Sequence, residues 1–128
     1  MWLLSIALFS AADEGRFVSS QAYFHHMVAT YAGENARWRE ARRNAELGLV
    51  YDDASPALRR TRARATWRQG QRPEREPDPW VQAYGAAARD AWPAVRRFLA
   101  SERPHDGAID RAWLELSVQM YAAGYRKD

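Results

Sequence analysis

Apolar residues along this chain recur every three or four positions, in blocks separated by proline and glycine. Trp2, Leu3, Leu4, Ile6, Leu8 and Phe9 predict a first helix over residues 2–12. A second is predicted from Asp13 or Arg16, with Phe17, Phe24, Val28 and Tyr31 on one apolar stripe. Gly33 either ends that helix or is tolerated inside a longer one. Beyond it Trp38, Ala41 and Ala45 continue a narrower stripe, with Arg37, Arg39, Arg42 and Arg43 on other faces. This stretch is expected to fade near Gly48, ahead of an acidic turn at Asp52-Asp53.

Ser55-Pro56 then pairs a capping serine with proline at the first helical position. The helix it opens looks poor in core residues, with Leu58 and Ala65 as a thin stripe, so it is expected on a surface. Gly70, Pro73, Pro77 and Pro79 make residues 69–79 an extended connector. Asp78-Pro79 repeats the start signal, and Val81, Tyr84, Ala88, Ala91, Val95 and Phe98 follow at helical spacing, with a kink or restart required at Pro93. After Arg103-Pro104, a last helix is predicted from Asp106 or Gly107. Ile109, Trp113, Leu116 and Met120 form one stripe on it and Leu114, Val118, Tyr121 and Tyr125 a second, which predicts a central position. Valine and isoleucine are sparse, and no segment alternates with period two or carries a hairpin turn signal. The pattern therefore predicts an all-α protein: one domain over residues 1–128, a small bundle of about four to six helices, with an arginine-rich helix and proline-rich connector at 55–79.

Charge changes this picture in one place. The 128 residues carry 19 Lys+Arg against 16 Asp+Glu, a net charge of +3, and Lys127 is the only lysine. Codon bias in a GC-rich genome explains a preference for arginine but not its clustering. Most of the positive excess falls in residues 35–75, with Arg59, Arg60, Arg62, Arg64, Arg68, Arg72 and Arg75 in one run. In a helix from Pro56, Arg60, Arg64 and Arg68 share a face, with Trp67 beside them. Like charges at this spacing repel, and an anionic partner would reverse the sign of the effect. The candidate partner-binding residues are accordingly Arg59, Arg60, Arg64, Trp67, Arg68 and Arg72. They are expected on an exposed face that meets either an acidic protein surface or nucleic-acid phosphates; the competing explanation is a solvated face paired with Glu40, Glu46, Glu74 and Glu76.

Other chemistry finds no support in the spacing. With no cysteine, the chain has neither a thiolate metal site nor a disulfide. His25 and His26 have no strong ligand three or four positions away. Glu102 and His105 have the spacing of a bundle metal motif, but Pro104 breaks the helix between them, and His105-Asp106 reads as a helix cap. No phosphate-binding, dinucleotide, zinc-protease or nucleophile-elbow motif occurs. The six tryptophans read as core or interface anchors. We therefore assign no catalytic residue, metal site or cofactor.

The expected function is a non-enzymatic helical interaction module, of the immunity, inhibitor, adaptor or assembly-subunit type, that binds a protein partner through an acidic surface on that partner. The alternative is a nucleic-acid-binding protein contacting phosphates through residues 37–75. An enzyme with a pocket near His25 or His26, or a peripheral membrane protein attached through residues 1–12, stands behind both. A homo-oligomer would form through Trp2, Leu3, Ile6 and Phe9. Residues 1–12 are too short to span a bilayer and have no basic residue ahead of them. A cytoplasmic location is expected, with export as the alternative if they act as a signal.

Overall fold

A computed structural model describes residues 19–102 and 111–124. The predicted first helix, Phe17, Ile109, Tyr125 and the start signal at Asp106 lie outside them. Among the described residues the protein is all-helical, with six helices and no strand: α1 (Ser20–Glu34), α2 (Trp38–Tyr51), α3 (Pro56–Arg68), α4 (Pro79–Ala88), α5 (Trp92–Ser101) and α6 (Arg111–Ala122). Each packs on the next, and α1 also reaches α3.

Capping chemistry sets most boundaries. Ser19 accepts a hydrogen bond from the Ala22 amide at 3.0 Å, so α1 begins at Ser20 rather than at Asp13 or Arg16. It stops after Glu34, and a tight turn through Ala36, at φ 58°, redirects the chain into α2. Ser55 caps α3 through the Leu58 amide at 3.2 Å, and Asp78 caps α4 through the amides of Trp80 and Val81 at 2.8 and 3.2 Å. Both helices carry proline in their first turn. Pro93 marks a restart: the chain turns at Asp90, φ 59°, and α5 begins at Trp92.

Two layers of different texture result. Trp67, Val81, Tyr84, Val95, Leu99, Leu116 and Met120 form the main core under α3–α6. Trp67 stacks on Tyr84 at 5.5 Å between ring centroids, and the Trp80 ring meets Phe98 edge-on at 4.8 Å. The indole N–H of Trp113 donates to the Leu99 carbonyl at 2.9 Å, fastening α6 to α5. The α1–α3 layer instead packs through small residues. Ala22 meets Leu49 and Leu58, and Ala32 meets Ala41 and Ala65.

Three expectations change. The aromatic stripe of α1 points outward: its buried residues are Ala22, Ala29, Ala32 and Gly33, while Phe24 and Tyr31 are 58% and 62% exposed. Helix α2 runs through Gly48 to Tyr51. Helix α6 is peripheral, with Leu116 and Met120 buried against α5 and its second stripe in solvent.

Gly48 is where α2 crosses closest to its neighbours. A Cβ there would sit 2.8 Å from a Leu58 methyl and 3.3 Å from the His25 Cβ, and Leu58 is fully buried. On an open helix face Gly→Ala would stabilise by about 1 kcal/mol. Here Gly48→Ala is expected to destabilise by about 1–2 kcal/mol, because overpacking outweighs propensity; urea unfolding followed by circular dichroism measures the sign.

Candidate interaction surface

The arginine-rich helix α3 turns most of its charge inward. Arg64 places two nitrogens on the Glu115 carboxylate, at 2.7 and 3.0 Å, and Arg68 reaches the same carboxylate. Their guanidinium carbons each lie 4.8 Å from the Trp38 ring centre. Arg60 pairs with Asp78 at 2.8 Å. Arg62 and Arg59 share Glu76, at 2.9 and 3.5 Å, and Arg59 also donates to the Asp53 carbonyl. The connector is pinned to α3 by Glu76 and Asp78, and Arg42 holds it to α2 through Gln69 and Gln71.

The expected exposed face is therefore half-buried. Side chains of Arg60, Arg64 and Arg68 retain 26–30% of their accessible surface, and Trp67 retains 8%. Arg60, Arg64 and Arg68 do line up, and Trp67 lies beside Arg68 at 5.4 Å, but they face carboxylates from the connector and α6. Arg59 pairs at the edge. Of the six predicted residues, Arg72 alone is exposed; it borders a cavity of about 80 Å³ with Arg42, Glu46, Arg62 and Glu74. Spacing along the chain located these residues without locating their partners, because Glu115 is 47 and 51 positions away.

The larger solvent-facing feature is apolar. On α1, Phe24, Met27 and Tyr31 lie opposite the small inner residues, and the same line ends in Glu34. On α6, Leu114, Val118 and Tyr121 lie opposite Leu116 and Met120, and their line begins at Arg111. Arg111 and Glu34 approach to 3.3 Å, so the two stripes meet at that ion pair. All six side chains are 42–62% exposed. A signal for this surface was present in the sequence: Ala22, Ala29 and Gly33 repeat on the face opposite the aromatics.

His25 sits between α1 and α2. His25 Nδ1 lies 3.3 Å from the Asn44 side-chain oxygen, and its ring stacks on Tyr51 at 5.9 Å. Among the described residues no three His, Asp or Glu side chains gather in metal-binding geometry. Burial pushes the His26 pKa below the ordinary histidine value. No described helix is long and apolar enough to cross a membrane. Compared with known proteins, the chain matches no family, no curated protein and no solved structure.

Removing one charge of the α3–α6 cluster leaves two arginines facing each other without their carboxylate. Glu115→Gln is expected to destabilise the fold by about 2 kcal/mol, lowering Tm by several degrees, which calorimetry reads directly. For His26, the lowered folded-state pKa means that the unfolded chain takes up the proton first. Its contribution to stability is complete above pH of about 6.5 and is lost as pH falls through the folded-state value. His26→Gln should flatten the loss of denaturation midpoint between pH of about 7 and 5, measured against the unsubstituted protein.

Proposed function

We propose that this protein is a non-enzymatic interaction module that engages a protein partner through the apolar stripes of α1 and α6. The observation that carries the reading is the set Phe24, Met27, Tyr31, Leu114, Val118 and Tyr121, held in solvent on two helices joined by the Glu34–Arg111 pair. At ~200 Å² per large side chain, their exposed portions amount to about 600 Å² of surface. Each stripe thus exposes about 300 Å², the size of the largest apolar patch on a typical monomer, which is often functional. Aromatic residues and methionine are also the types enriched at interface centres. The arginines of α3 contribute indirectly, by fixing α6 against α3 so that its stripe has a defined direction.

A contact of this kind depends little on screening. A complex captured with the tagged chain in its native host is expected to survive about 0.5 M salt, and to be lost in Tyr31→Asp and Leu114→Asp chains of unchanged helical content. A complex indifferent to both substitutions would sink the reading.

The nucleic-acid reading keeps one supporting observation. Arg39, Arg43, Arg72 and Arg75 are exposed and carry no ion pair among the described residues. It requires an affinity for DNA or RNA that falls with a log–log salt slope of about 4, one phosphate per arginine. The first titration series therefore separates the two readings.

A further inference from the structure

We propose that the cleft between the connector and α4 binds a small organic phosphate that carries hydroxyl groups. A cavity of about 300 Å³ lies there, between residues 73–76 and one face of α4, at the small end of the ~300–1,000 Å³ of small-molecule sites. Val81, Gly85 and Arg89 stand four residues apart along α4 and its end, so they share that face. Val81 is buried and Gly85 has no side chain, which leaves a hollow floor that a larger residue would fill. The opposite wall is the connector, held by Arg59 and Arg62 at Glu76 and by Arg60 at Asp78. Gln82 adds a tie, its side-chain nitrogen donating to the carbonyls of Glu76 and Pro77 at 3.1 and 3.4 Å. Both walls are therefore fixed before any ligand arrives.

The charges on the walls name the ligand. Arg75 on the connector and Arg89 at the end of α4 line the cavity, are exposed and carry no ion pair among the described residues. Arg89 is folded back along its helix, with a terminal nitrogen 3.6 Å from where a Cβ on Gly85 would stand. Its charge is thus brought to the cavity. The acids on the walls are Glu74, exposed, and Glu76, already met by Arg59 and Arg62; exposed Asp90 is next to Arg89 in the chain but lines neither wall. With the two arginines on Glu76 included, arginines outnumber acids here by two. A phosphate monoester carries about −1.5 to −2 charge and suits the planar fork of each guanidinium, whereas a single carboxylate leaves one of the pair unmatched. Glu74 offers only acceptors, and Gln82, with its nitrogen committed, keeps its side-chain oxygen. The rest of the ligand must therefore donate, which calls for hydroxyl groups. The smaller cavity beside Arg72 lacks this imbalance, since Arg42, Arg62 and Arg72 meet Glu46, Glu74 and Glu76 there.

The experiment is calorimetric titration of the chain of residues 1–128 in phosphate-free buffer of low ionic strength. The probes are glucose 6-phosphate, inorganic phosphate, citrate and glucose. Glucose 6-phosphate is expected to bind one to one with Kd below about 1 mM, with inorganic phosphate and citrate at least ~10-fold weaker and glucose silent. Arg75→Gln and Arg89→Gln should each weaken binding at least ~10-fold, and Gly85→Leu should abolish it by filling the floor while leaving both arginines in place. Arg39→Gln and Arg43→Gln on α2 should leave it intact, all five variants keeping the circular dichroism of the parent chain. No heat with glucose 6-phosphate at 10-fold the expected Kd overturns the proposal. So does equal affinity for inorganic phosphate or citrate, which would remove the hydroxyl or the phosphate from the recognition. Binding that Arg39→Gln and Arg43→Gln weaken as much as Arg75→Gln and Arg89→Gln would be attraction to net charge alone, and overturns it too.

Discussion

The carboxylate of Glu115 is the constraint on which the arrangement of these helices depends. Arg64 and Arg68 stand four residues apart on α3, and in an isolated helix they repel. Glu115 binds both, and the Trp38 ring lies against both guanidinium groups. Four elements converge there. Helix α6 supplies the acid, α3 the bases and α2 the ring. Helix α1 supplies Gly33, where a Cβ would lie 3.3 Å from an Arg64 nitrogen and 3.5 Å from Trp38. A larger residue at that point would press on the cluster, so the glycine is what lets α1 come this close. Because the side chains are half-buried rather than bathed in water, the interaction is stronger than a surface pair without carrying the full desolvation cost of an interior one.

The same logic extends along α3. Asp78 caps α4 and accepts Arg60, so one carboxylate both starts a helix and ties it to the previous one. Glu76 holds Arg59 and Arg62. Backbone hydrogen bonds to α3 hold the connector as far as Gln71, and beyond it the course is set by side-chain ion pairs. The apolar face of α3 completes the joint: Leu58 fills the gap left by Gly48, and Trp67 enters the α4–α6 core.

Much of this was legible in the sequence, and the exceptions have physical reasons. The all-helical class, the caps at Ser55 and Asp78 and the restart near Pro93 follow from local chemistry, which acts within a few residues. The inside and outside of α1 and α3 did not follow. In α3 the thin stripe of Leu58 and Ala65 concealed a helix that buries Ala63, Thr66 and Trp67 as well, because an arginine-rich helix can lie inside a protein when acids from elsewhere meet it. Those acids are distant in sequence and carry no local mark. In α1 helical spacing predicts the largest apolar residues as the packed face. The helix packs closely through alanine and glycine instead, because small residues let backbones approach, and the aromatics are left on the far side.

The distribution of charge and apolar surface then follows from one condition. A chain with so many arginines can form a compact bundle only if those near the helix contacts are neutralised in place. Glu76, Asp78 and Glu115 do this for Arg59, Arg60, Arg62, Arg64 and Arg68. Three acids are thereby committed to α3, and Arg39 and Arg43 of α2, Arg72 and Arg75 of the connector and Arg97 of α5 carry no ion pair among the described residues. Helix α1, which contacts α2 and α3 through alanine and glycine, needs no charge to pack and has almost none. Its outer face is consequently both the least charged and among the most apolar parts of the described surface. Contact with another protein through that face, or through the outer stripe of α6, therefore desolvates the fewest charged side chains.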